Sequence, residues 1–304
     1  MKIVENKVTD YLSINVTEDE TLWSDTALYD YYDEVRYGHY IYRYAGEDNT
    51  NTDENPEFIW NRDKDAYSVW VLITATNYFA ALDDKTKTQT TNADELIIEI
   101  ENNDFDNVGL LNVKATNVMI ELIDLSTMLA IQSFNYDMQN NDDIVDEKTY
   151  LYEPFNLDTE VYEPNITLFL NTKIKITITN IGGIAALGRL VAGRSFFLGD
   201  TIYPATVDQI TYSRFNTNIF GDTDLVQGNS ARQVQYNIIA PLTKIRYLER
   251  KRKEWTAIPV LFIANENDNS GVGFLLVYGY FTSAPFNISN GSRMTIPINI
   301  KGLI

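Results

Sequence analysis

One histidine, no cysteine and 43 acidic residues in 304 set the chemistry open to this chain. Without a thiol there is no thiolate nucleophile, no disulfide scaffold and no Cys-ligated zinc. His39 has no second histidine to share a metal, and a Ser/His/Asp arrangement would need it as the base, yet no GxSxG elbow accompanies it. We therefore read His39 as structural. Glycoside hydrolysis needs only two carboxylates in a cleft. Here the acids fall in Asn-rich loops such as 137–147, or alternate with apolar residues at Glu99, Glu101 and Glu121, so a hydrolase is the least favoured reading. The 137–147 run lacks the glycine and terminal glutamate of an EF-hand and reads as a solvated loop. Gly182, Gly183 and Gly188 do not have GxGxxG spacing or a βαβ context, which removes a dinucleotide site. No catalytic residue, metal ligand or cofactor is expected.

What remains is binding. Residues 1–64 are dense in aromatics, and two readings of them stay open. Tyr40, Tyr42 and Trp60 are candidates for stacking on sugar rings; alternatively, a domain of this size uses large rings as its core because it has little else to bury. The second feature is 244–254, with six cations and two carboxylates in a chain of net charge -19. Arg250, Lys251, Arg252 and Lys253 are either a solvated helix face or an interface to an acidic neighbour. The overall charge opposes nucleic acid or anionic lipid as the main partner. No apolar run approaches the roughly 20 residues of a membrane helix, and Met1–Asp10 lacks the apolar core of a secretory leader, so a soluble chain without membrane insertion is expected.

The elements that must carry these residues are mostly strands. Val69 to Ile73, Leu96 to Ile100, Val118 to Ile123 and Leu129 to Tyr136 are strand-like, as are Ile166 to Leu170 and Lys173 to Ile181. Ile174, Ile176 and Ile178 alternate with Lys173, Lys175 and Thr177, the period of a sheet with one wet face. Asp83 to Thr91 reads as a surface loop, and 185–191 as a helical turn or buried linker that hinges two domains. Glu34 to Tyr37 and His39 to Tyr44 form a hairpin about Gly38, which tolerates positive φ. Gly46 to Glu57 is a loop ending at Pro56. Pro241 opens a helix to Trp255, with Leu242, Ile245, Leu248 and Trp255 on one stripe. A fully buried strand follows at Val260 to Ala264, then a loop at 265–271, and strands Phe274 to Phe281 and Met294 to Ile300 complete a sheet packed on the helix.

Three patches carry a resemblance. Ala75 to Asp83 (ATNYFAALD), followed by a Thr-rich loop and the strand containing Leu110, Leu111 and Asn112, is similar to a Gly-Pro-Thr-Asn-Arg-Trp-Ala-Met-Phe-Asp box in a tail-associated structural protein family of tailed bacteriophages. This chain departs from it with Ala75 for the proline, Tyr78 and Phe79 for Arg-Trp, and Leu82 for the phenylalanine. The order Tyr32, Asp33, Val35, Tyr37, Gly38 and a following tyrosine, then Asn55, Pro56 and Trp60, resembles the small chitin-binding-type module that the family carries in the same place. The C-terminal order of helix, Ile-Pro strand, Asn-rich loop and a closing Ile300, Lys301, Gly302, Leu303 resembles the family's last domain, where the usual ending is Ile-Glu-Gly-Leu.

The expectation is a mainly β protein of three units: an aromatic β-module over 1–64, a jelly-roll-like β-sandwich over 65–186, and a β-rich domain over 187–304 with helix 241–255 packed on a sheet. The resemblance implies a virion protein of the tail or baseplate, without enzymatic activity. Its partners would be other tail proteins and copies of itself in a ring. A carbohydrate-binding receptor-recognition module for a host surface glycan is the alternative.

Overall fold

The computed structural model describes residues 1–304 apart from 19, 51, 53, 64–67, 141–143, 153–155, 218–219, 265–275 and 289–290, and apart from the side chains at 149 and 203. The fold is mainly β, as expected, with antiparallel pairing throughout its named strands. Among the described residues the helices are Pro56–Asp63, Glu147–Tyr152 and Ile245–Glu254, with two short 3-10 turns.

The central unit is built around one long strand, Thr172–Gly193. On one side it pairs with Thr90–Glu101; on the other, its first half pairs with Asn117–Asp124 and its second half with Asn107–Lys114. A bulge lies between Asn180 and Ile184, where Gly182 has φ 76 and the facing Asp94 has φ 60. Bulges of this kind let one strand serve two layers. Side chains from both halves fill one core: Ile174, Ile176 and Ile178 from the first, Ala185, Leu187 and Leu190 from the second, with Ile98 and Ile120 from the flanking strands.

The expected hinge at 185–191 is therefore corrected: it is the second half of this strand, hydrogen-bonded into the sheet. Leu190 joins the central core while its neighbour Val191 joins a second cluster, so both faces are buried. A strand apolar on both faces shows no alternation, and short apolar runs are ambiguous between helix and strand. The expected strand over 166–170 is irregular, and Leu168, Phe169 and Leu170 are exposed there. The loop expected at Asp83 to Thr91 gives way to strand at Thr90, and it is packed down. Thr86 Oγ1 donates to the Leu303 carbonyl (3.0 Å), and Asn112 Nδ2 donates to the Thr86 carbonyl (2.7 Å).

The second large sheet runs in the order Ser195–Phe197, Lys2–Val4, Val260–Ile263, Leu276–Ser283, Arg293–Gly302, Ser230–Pro241, Asp200–Thr211. One face carries the helix, with Leu248 and Trp255 packed on Val260, Phe262 and Ile298. The other face puts Val4, Leu261, Ile263 and Tyr278 against Leu111 and Val191 of the central unit. This double cover explains why Val260–Ile263 is buried at every position. The expected loop at 265–271 and the start of the strand at Phe274 lie outside the described residues.

The sheets cut across the expected boundaries at 64 and 186. Lys2–Val4 belongs to the second large sheet, held further by the Met1 ammonium on the Gly199 carbonyl (2.6 Å). Ser13–Ile14 pairs with Thr90–Glu101 of the central unit. Trp70–Ala75 completes the aromatic module by pairing with Tyr40–Tyr44, which pairs with Glu34–Tyr37 across a turn where Gly38 has φ 61. The module also gains the helix Pro56–Asp63 where a loop was expected to end. Asn55 Oδ1 accepts from the Phe58 amide (2.9 Å), and Pro56 sits at the first turn where no N–H is needed.

Candidate functional site

The basic helix follows from its sequence: apolar residues at three- and seven-residue spacing turn onto the sheet and the cations are left outside or at the rim. The four candidates do not act as one patch. Lys251 Nζ bonds Glu254 (2.6 Å) and lies 4.5 Å from the Phe196 ring centre; its charge also holds the Glu254 carboxyl below its usual pKa. Arg252 donates to the Ala284 carbonyl (2.7 Å) and covers the Phe286 ring at 4.7 Å. These two clamp the helix to its sheet and are half-buried, which corrects the reading that all four face a partner. Arg250 and Lys253 are exposed, Lys253 with Glu249 at 3.3 Å, and the exposed Lys244 and Arg246 extend their surface.

The aromatic candidates divide in the same way. Tyr42 is 2% exposed in the module core with Tyr29, Tyr44 and Trp70, so it cannot stack on a ligand. Tyr40 and Trp60 are half-buried against that core, and Tyr40 meets the Phe79 ring edge-on at 5.9 Å. The exposed rings of the module include Phe58, at 52% with Arg62 5.5 Å from its centre, and the adjacent pair Tyr31 and Tyr32, at 52% and 60% with centroids 4.2 Å apart. Tyr32 has φ 78, a backbone region that bulky residues avoid. The turn is held by Tyr32 N–H to the Tyr44 carbonyl (2.9 Å) and Tyr31 N–H to Asp48 Oδ1 (2.7 Å). Arg43 lies 5.5 Å from the Tyr32 ring centre and bonds Glu34 at 2.7 Å. Sequence reasoning passed over this pair because composition carries no signal of which tyrosine in a tyrosine-rich run points outward. His39 stacks on Phe79 at 4.3 Å and 18°.

Two cavities lie where the central unit meets the second large sheet. The smaller, about 150 Å³, is lined by Glu160, Arg232 and Tyr278 among others. Burial pushes the Glu160 carboxyl up to about 7, outweighing the opposing pull of Arg232 at 3.3 Å. A carboxyl of this kind is what a general acid requires, but no second carboxylate lines the cavity among the described residues. The neighbouring Asp158 accepts from Asn140 Nδ2 (2.9 Å). The larger cleft, about 590 Å³, contains Arg189, Tyr278, Asp84 and Glu5. Its carboxylates are each beside a cation: Glu5 with Lys7 (2.7 Å) and Asp84 with Arg189 (3.4 Å).

Among the described residues no cluster of three His, Asp or Glu side chains is arranged to hold a metal ion. Among these residues no helix is long and apolar enough to cross a membrane. A surface the sequence did not single out is the hairpin Arg214–Thr217 with Thr223–Val226, a two-stranded sheet of its own in which every residue is exposed.

No family model matches this chain, and no curated protein matches it.

Proposed function

We propose that this chain is a structural protein that works by protein–protein assembly, a component of the tail or baseplate region of a tailed-phage virion. The placement in a virion rests on the three collinear patches of resemblance at the aromatic module, at Ala75 to Asp83 and at the C-terminal strands. The reading as an assembly protein is carried by one observation: Lys244, Arg246, Arg250 and Lys253 form an exposed cationic surface on a chain of net charge -19, complementary in sign to the acidic surface that another copy offers. Its partners are copies of itself and other tail proteins. We read it as a non-enzyme, because Glu160, the carboxyl best suited to acid chemistry, is held by Arg232 and among the described residues has no second acid lining its cavity.

Native mass spectrometry and sedimentation velocity test this directly. A multimer that dissociates as salt rises, and that Arg250→Glu with Lys253→Glu weakens without lowering the melting temperature, is the expected result. A chain that stays monomeric at every concentration sinks the reading.

The exposed Tyr31–Tyr32 pair favours a second reading, recognition of a glycan, with these rings in place of Tyr40, Tyr42 and Trp60. Binding on a glycan array that survives Trp60→Ala and disappears in Tyr32→Gly would support it.

A further inference from the structure

The second large sheet has two ends that differ in kind. At one end Asp200–Thr211 and Ser230–Pro241 pair as far as Thr211↔Ser230, and the chain then runs on into the hairpin Arg214–Thr217 and Thr223–Val226. Phe215 and Leu225 lie directly opposite each other there and are 67% and 70% exposed; Phe220 at the turn is 84% exposed. An isolated two-stranded hairpin is marginal in water, and Phe215 and Leu225 leave most of their apolar surface in solvent. The arm's charged residues are Arg214, Asp222 and Asp224, so it is apolar and acidic.

The opposite end of the same sheet is the strand Ser195–Phe197. Phe197 is exposed there, with Lys244 Nζ 5.6 Å from its ring centre, and the helix above presents Arg246, Tyr247 and Arg250. Tyr247 lies 6.0 Å from the Arg250 guanidinium. This end is apolar and basic. The two surfaces are complementary in both respects and belong to opposite edges of one sheet.

We infer that the arm of one copy docks on the Phe197–helix surface of the next, a head-to-tail contact between copies of this chain. Phe215 and Leu225 cover Phe197 and Tyr247, while Asp222 and Asp224 meet Lys244, Arg246 and Arg250. A contact between unlike surfaces closes into a ring when the rotation permits and otherwise grows as a filament. This inference rests on the assembly reading above and names the surfaces that it uses.

The test uses two full-length variants. One carries Asp222→Lys with Asp224→Lys on the arm; the other carries Arg246→Glu with Arg250→Glu on the helix. Each alone sets like charge against like at every contact, whereas in a mixture each contact between the two variants pairs opposite charges, so an alternating assembly is restored throughout. The expected result by sedimentation velocity is that each variant alone associates at least about tenfold more weakly than the parent, and that mixing recovers association. Circular dichroism melting controls for folding, since all four positions are exposed. If either variant alone associates like the parent, or if both lose association and mixing fails to restore it, the docking is wrong while assembly itself stands. If the parent does not associate, both fall together.

Discussion

Arg189 on the long central strand donates through Nη2 to the hydroxyl of Tyr278 on the second large sheet, at 2.7 Å, and its guanidinium lies 4.9 Å from that ring's centre. Arg189 is 3% exposed, and it also donates through Nη1 to the Asp83 carbonyl. Burial pushes the Tyr278 hydroxyl up to about 12, so it stays protonated, accepting from Arg189 and donating to Asp84 Oδ1 at 3.4 Å. The chain of contacts ties loop, strand and sheet together at the joint between the two units. Tyr278→Phe removes an acceptor from a buried cation and is expected to lower stability by about 1–3 kcal/mol. An unchanged urea midpoint would show that the joint does not depend on this bond.

Glu160 gives the joint a pH dependence whose sign is fixed by its shift. Its carboxyl is raised from 4.5 to about 7 by burial, so the folded protein binds this proton more tightly than the unfolded chain does. Stability from this group is fully present below the unfolded value and falls as pH rises from about 4.5 to about 7, with a total on the order of 3 kcal/mol. Glu160→Gln is expected to flatten that slope relative to the parent, leaving the contributions of other carboxylates in place. Urea midpoints measured across the window for both proteins check it; parallel slopes would mean that Glu160 titrates normally.

How much of this was legible in the sequence follows a physical line. Strands with one apolar and one polar face announced themselves, as Leu96 to Ile100, Val118 to Ile123 and Lys173 to Ile181 did, because packing on one side writes a period of two, although Lys173 and Thr177 on the polar face are buried where a wet face was expected. The turn at Gly38 and the stripe Leu242, Ile245, Leu248 and Trp255 were equally readable, each set by local chemistry. The second half of the long strand was not, since burial on both faces erases the period. Lys2–Val4 is too short to signal, and its place between Val260–Ile263 and Ser195–Phe197 is decided by contacts far along the chain. At the candidate site the sequence found the right helix but not the division of its cations. Which of them is clamped depends on Phe196, Phe286 and Ala284, residues that only the fold brings near.

The Tyr31–Tyr32 turn separates a structural role from a binding role. At φ 78 a tyrosine is strained by about 1–2 kcal/mol, and glycine at that position removes the strain while adding about 0.5–1 kcal/mol of chain entropy to the unfolded state. Tyr32→Gly is therefore expected to leave the melting temperature nearly unchanged despite the loss of a large ring. Tyr42→Ala, which empties the module core, is expected to cost about 3–5 kcal/mol by contrast. A large drop in melting temperature for Tyr32→Gly would mean that the exposed ring holds the module together, and would remove the reason to assign it to a ligand.

The glycines of the 182–188 run, which carry no phosphate-loop spacing, are explained by the fold in two different ways. Gly182 has φ 76 with open space around it, so an alanine there meets backbone strain alone, about 1–2 kcal/mol. At Gly188 an added Cβ would press on the Thr86 carbonyl oxygen and lie 2.8 Å from Asn112 Cβ. Neither obstacle is the free end of a flexible side chain. Asn112 is itself held at φ 53 and bonds the Thr86 carbonyl, so the loop cannot retreat without breaking that bond. Overpacking of this kind costs about 1–3 kcal/mol, and losing the loop's hydrogen bond adds about 1 more. Gly188→Ala should accordingly be the more damaging of the two, with a lower melting temperature and faster proteolysis in the 83–89 loop that packs on Leu303. If Gly182→Ala proves the worse variant, the close approach of loop and strand at Gly188 is not what holds that loop in place.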